Sequence, residues 1–209
     1  YNNLVNQKID NIYKIDNEDY SKFLDIKNKK KSKKKYIVFL DQDFDHNFDF
    51  SMSEKKISNF DPNLYWHKID NFLKKIDILF NKRYKIVIAA HHRRPRNDYP
   101  INRKFIHNKT AELVKNSVIV LGHYSGSSTF PILFKKPFIS LDTKDFDLHA
   151  FERRACLNFL KKELNLFSIN IDKKEKFKKN IKKRLFKVNN KLYDKFFENF
   201  IGFKVGKSY

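Results

Sequence analysis

The chain has 209 residues, 41% of them hydrophobic and 16% aromatic, enough to bury a real core and too apolar for a disordered linker. Its 45 Lys and Arg against 24 Asp and Glu leave a net charge of +21, which favours polyanions, anionic lipid or phosphorylated substrates as partners, although joint enrichment in Lys, Asn, Ile and Phe is also what an AT-rich coding sequence yields. A single cysteine, Cys156, excludes an intrachain disulfide or a cysteine metal cage and fits a reducing cytoplasm, and no window holds the roughly 20 apolar residues that span a bilayer.

The first residue is Tyr1, not Met, and no signal peptide is evident, so the chain reads as a piece of something longer. Residues 1–35 read as an Asn-rich segment and a basic linker, NKKKSKKK at 28–35, either solvated or laid on anionic headgroups. KYIVFLDQ at 35–42 is a continuous apolar run rich in β-branched and aromatic residues, the pattern of a strand buried on both faces. Three further runs share it: KIVIAAH at 85–91, SVIVLGH at 117–123 and PFISLDT at 137–143.

Between the first two, Asp61 as N-cap and Pro62 open an amphipathic helix whose inward face is expected to carry Leu64, Ile69, Leu73, Ile76 and Phe80. A short helix is expected over 108–117, capped from Asn108 or Thr110. Another follows the third strand, with Pro131 tolerable only in its first turn. Beyond 145 the pattern is mostly helical, with a candidate fifth strand LFSIN at 166–170 and a Lys-faced amphipathic stretch pairing Phe177, Ile181, Leu185 and Phe186. Apolar strands alternating with helices predict an α/β fold, a Rossmann-like parallel sheet over 36–145 flanked by helices, with a helical C-terminal extension over 146–209 completing the domain.

Ligands of such sheets bind beyond the carboxyl ends of the strands. Four of the seven histidines, His46, His91, His92 and His123, fall at that rim. The segment DQDFDHNFD at 41–49 supplies carboxylates that would suit Mg²⁺ or remain solvated, and Asp41, at the strand end, is the best-placed base or hydroxyl contact. HHRRPR at 91–96 offers cationic forks through Arg93 and Arg94. In HYSGSS at 123–128, Ser125, Gly126, Ser127 and Ser128 form a small-residue turn into a helix that can cradle a phosphate, with Gly126 giving positive φ or close approach. The plainer alternative is that a serine caps the helix and Gly126 relieves a tight turn.

Four separated segments, KYIVFLDQ, DPNLYWHKIDNFLKKI, KIVIAAHHR and IHNKTAELVKNSVIVLGHYSGSSTFPILFKKPFISL, together resemble the C-terminal part of bacterial surface-polysaccharide biosynthesis proteins of GT-B glycosyltransferase form. More distantly the arrangement is similar to bacterial sialyltransferases and polysialyltransferases, in which a His-Pro motif and a Ser-Ser/Thr motif hold the donor. By that resemblance His91 takes the histidine role and Ser125 the first serine role, with His92 standing where proline, and Gly126 where the second Ser or Thr, is found. The resemblance implies a metal-independent transferase with a nucleotide sugar as substrate and no cofactor. Residues 36–145 would be its nucleotide-sugar-binding domain, Asp41 or His46 would face a glycan or lipid-linked acceptor, and the enzyme would lie in the cytoplasm or at the inner face of the membrane. A donor-binding module without turnover is the first alternative. A nucleic-acid binder is the second, although no RRM, KH or zinc-finger signature supports it.

Overall fold

The computed structural model describes residues 18–30, 32, 34–43, 45, 60–145, 151–173, 177 and 180–202, with the backbone alone at 151–153. Six parallel strands form one sheet: β1 (Tyr36–Leu40), β2 (Lys85–Ala89), β3 (Lys104–Ile106), β4 (Ser117–Gly122), β5 (Phe138–Asp142) and β6 (Ser168–Asn170). Their order is β3-β2-β1-β4-β5-β6. Chain order thus runs outward in one direction from β1 and then, after β3, crosses back to β4, which makes the β1/β4 boundary the switch point of the sheet. Ile37 to Leu40 pair in register with Ile86 to Ala89 on one side and with Ile119 to Gly122 on the other.

Because side chains alternate along a strand, β1 supplies both faces. Ile37 and Phe39 pack with Tyr65, Ile69, Leu73 and Ile76 of α2 (Pro62–Leu79). Val38 and Leu40 face the opposite layer, built from α1 (Glu18–Lys27), α3 (Thr110–Asn116), α4 (Thr129–Leu133) and α7 (Asn190–Phe200). Each fully buried Ile, Leu or Phe contributes about 1.5–3 kcal/mol, so this double-sided strand anchors the fold. The sheet flanked by helices is the Rossmann-like α/β arrangement expected from the sequence.

Local signals explain most boundaries. Asp61 accepts from the N–H groups of Asn63 and Leu64 at 2.8 and 3.1 Å, starting α2 before Pro62. Pro131 is the third residue of α4, in its first turn. Other expectations are corrected. Leu64 is 51% exposed, and Tyr65, Trp66 and Phe72 join the inward face of α2 instead. At α3 neither Asn108 nor Thr110 caps; the N-cap is Lys109, with no side-chain bond. The C-terminal stretch is split into α6 (Ile181–Leu185) and α7, and Phe186 is exposed. α5 (Phe151–Leu164) precedes β6, the strand expected at 166–170.

The N-terminal segment is more than a linker. α1 buries Tyr20 and Ile26 in the second core, and buried Lys115 donates to the carbonyls of Ile26 and Lys29, closing its C-terminal end. Ser32 N–H donates to Asn116 Oδ1 at 2.8 Å beside it. No described helix is long and apolar enough to cross a membrane.

Candidate functional site

A cleft of about 1340 Å³ opens at the carboxyl ends of the strands. Leu40, Ala89 and Ala90 form its floor, where β1 and β2 end. His91 and His92 stand on one wall, and Ser125, Gly126 and Ser127, in the turn after β4, on another. α1 closes a further side with Asp19, Lys22 and Asp25, next to Asn108, Thr110 and Glu112 at the start of α3. The volume exceeds the roughly 300–1,000 Å³ of typical small-molecule pockets, room for a ligand with more than one moiety.

The turn after β4 is built from small residues for a visible reason. Ser128 is buried, its Oγ accepting from Ser125 N–H at 3.0 Å while its N–H donates to Ser125 O at 2.9 Å. Ser125 and Ser128 thus face each other in a capping arrangement. A Cβ built at Gly126 would meet nothing within 4 Å, and its φ lies outside the left-handed region. Positive φ is therefore not what Gly126 provides; its lack of a side chain leaves the cleft open. Three buried side-chain oxygens have no hydrogen-bond partner of good geometry among the described residues, and two, Gln42 Oε1 and Ser125 Oγ, belong to the β1 and β4 loops that meet at the switch point. Such atoms are rare; Ser140 Oγ lies within β5, away from the cleft, whereas Ser125 lines it, where a ligand or water can complete the bonding.

The β1 side of the rim is organised differently. Asp41, 5% exposed, receives Arg94 through both oxygens, Nε to Oδ2 at 2.5 Å and a second guanidinium nitrogen to Oδ1 at 3.2 Å. Arg94 also binds both oxygens of Asp45, at 2.5 and 3.0 Å, lies 3.5 Å from Asp43, and rests 5.0 Å from the Trp66 ring. Burial opposes its charge, yet the bonds from Asp45 and Asp41 raise its pKa above the ordinary arginine value. The aspartates that suggested a Mg²⁺ site converge on a side-chain cation. Asp43 sits in the left-handed region at φ 53°, held because its N–H donates to Asp41 Oδ1 at 2.9 Å.

The expected site residues therefore separate. His91, Ser125, Gly126 and Ser127 meet at the cleft, while Ser128 supports the turn from beneath. Arg94, 2% exposed, is no open phosphate fork, because an anion there would compete with two bound carboxylates. Arg93 is exposed next to His91 but does not line the cleft. His123 is fully buried: its Nδ1–H donates to Leu141 O at 2.7 Å, so Nε2 accepts from the Tyr65 hydroxyl at 3.0 Å. Burial pushes its pKa down to about 4, keeping it neutral beneath the rim. Asp41 lines the cleft but is engaged, its Oδ2 also accepting from His91 N–H at 3.1 Å. His46 lies outside the described residues.

The His91 and His92 rings touch with centroids 4.3 Å apart and planes tilted by 40°, and His91 Nδ1 lies 3.7 Å from Asp43 Oδ2. Burial, then His91, lowers the pKa of His92. The α1 wall was not anticipated. Its Asp19 donor partner is Thr129 Oγ1 at 2.5 Å, and burial raises the Asp19 pKa against that bond. Five carboxylates, those of Glu18, Asp19, Asp25, Asp41 and Glu112, line the cleft against two lysines, Lys22 and Lys29, and Lys22 is paired with Glu18 at 2.7 Å. A phosphate here would rest on hydroxyls, backbone N–H groups and imidazoles rather than on net positive charge. Among the described residues no group of three or more His, Cys, Asp or Glu is placed to hold a metal ion.

Compared with known proteins, the chain matches no family model, no curated protein and no solved structure.

Proposed function

We propose that this chain is the nucleotide-sugar-binding half of a GT-B glycosyltransferase that serves surface-polysaccharide assembly. The observation that carries the reading is the open cleft beside the β1/β4 switch point, floored by strand ends and edged by the small-residue turn at Gly126, whose Ser125 Oγ has no partner of good geometry among the described residues. The donor phosphate would lie against Ser125, Gly126 and Ser127, with His91 and His92 donating from the other wall. Carboxylates such as Asp25 and Glu112 would accept hydrogen bonds from sugar hydroxyls. The resemblance in four sequence segments supports the choice of transferase over other nucleotide-binding proteins.

Transfer to a glycan or lipid-linked acceptor needs a base other than Asp41, whose oxygens are held by Arg94 and by the N–H groups of Asp43 and His91. That engagement favours, as a second reading, a donor-binding module without turnover.

A thermal-shift screen against CMP, UDP, GDP and their sugar conjugates tests both. A ligand at 100 times its Kd stabilises by about 2.7 kcal/mol, and the shift should vanish in Ser125→Ala and His91→Ala. Donor binding without sugar transfer or donor hydrolysis would select the second reading. No shift with any nucleotide would remove both.

A further inference from the structure

The edge of the sheet opposite the cleft has its own chemistry. All strands run the same way, so the segments that enter them share one side of the molecule. The loop entering β2 carries Lys82, Arg83 and Lys85, all exposed. α6 adds Lys182 and Lys183, and Lys187 follows it, also exposed. The two groups are held together: Phe186 packs edge-on against Phe80 and Tyr84, with centroids 5.7 and 6.5 Å away, and Ile181 and Leu185 enter the same core as Phe80. Arg184 lies 4.0 Å over Phe167, just before β6, which fixes α6 to this edge.

None of these six basic residues forms a salt bridge among the described residues, whereas Asp77, the last acid of α2, is bound by Arg103 at 2.9 Å. Beside them Ile78, in the last turn of α2, is 72% exposed, and Phe186, packed on one side against Phe80 and Tyr84, remains 41% exposed. Lysines around protruding apolar groups match the chemistry of a bilayer with anionic headgroups. The cations meet lipid phosphates, each contributing about fivefold in affinity, and the apolar groups enter the headgroup boundary. Nucleic acid would use the lysines but gives Ile78 no partner.

We propose that this edge docks on an anionic membrane surface, with the cleft turned toward the aqueous side. The proposal does not depend on what the cleft binds.

The test is sedimentation of the full chain with phosphatidylcholine vesicles and with vesicles in which about a third of the lipid is phosphatidylglycerol. Binding should appear only on the anionic vesicles and fall as salt shortens the screening length. Combined Lys182→Glu, Lys183→Glu and Lys187→Glu should weaken it about 100-fold or more, whereas Arg96→Glu with Lys144→Glu, exposed in the segments that follow β2 and β5, should leave it unchanged. Ile78→Ser, at a solvent-facing position, should weaken it several-fold with no change in Tm. Equal binding to neutral vesicles, equal loss from the two charge-reversed proteins, or tighter binding to a random oligonucleotide with no effect of Ile78→Ser would overturn the proposal.

Discussion

Toward α2, beyond the end of β1, the rim is filled by Asp41, Arg94 and Asp45, whose charges satisfy one another out of water, while after β4 the turn at Gly126 stands beside open space. Both stretches are polar clusters that follow an apolar strand. They part because the long guanidinium of Arg94 folds back onto the Trp66 ring and draws the carboxylates inward. Ser125 to Ser128 have short side chains and close on themselves and on the carbonyl of His123 just before them. The lesson is that side-chain length and the presence of a buried partner decide whether a strand-end cluster becomes scaffold or site.

The contrast can be broken most forcefully at Arg94. Arg94→Met leaves the buried carboxylates of Asp41 and Asp45 without their cation, and should lower unfolding stability by about 3–5 kcal/mol in a denaturant titration. A near-neutral result would mean that the closed side is not held by this charge cluster.

Next in size is His123. Its folded pKa of about 4 lies below the unfolded value of about 6.5. The unfolded chain therefore binds more protons between those values, so the contribution is complete above about pH 6.5 and is lost as pH falls toward 4. The loss should approach 3 kcal/mol, read as a falling urea midpoint, and His123→Phe should flatten that part of the profile.

Lys115→Met keeps the aliphatic stem but leaves the carbonyls of Ile26 and Lys29 without their donor. About 1–3 kcal/mol should be lost, with amide exchange rising first in α1, the wall of the cleft. On the open side, Gly126→Ala adds a Cβ into empty space without a φ penalty, and Tm should move by no more than a surface substitution does, about 0.5 kcal/mol.

The β1, β2, β4 and β5 runs were legible because burial on both faces demands continuous apolar sequence, and α2 because Asp61 and Pro62 mark its start. β3 escaped notice: three residues, Lys104–Ile106, half-buried at the sheet edge, carry no period. α1 was hidden in Asn-rich surroundings, although Tyr20, Phe23 and Ile26 recur at threefold spacing and Glu18 and Asp19 precede them. Nothing local in HHRRPR says that Arg94 alone turns inward, since its partners come from another strand end. His123 is similar: its burial depends on Tyr65, 58 residues away. The Ser125–Ser128 turn was readable because small residues at a strand end have few other uses.

The most direct measurement is calorimetric titration of the nucleotide panel into the wild type and into Gly126→Trp, whose indole would fill the open space beside the turn while meeting no neighbour at its Cβ. The account predicts that one nucleotide binds the wild type, and that Gly126→Trp loses that binding while keeping its Tm. Undiminished binding to Gly126→Trp, or no nucleotide bound by the wild type, would contradict it.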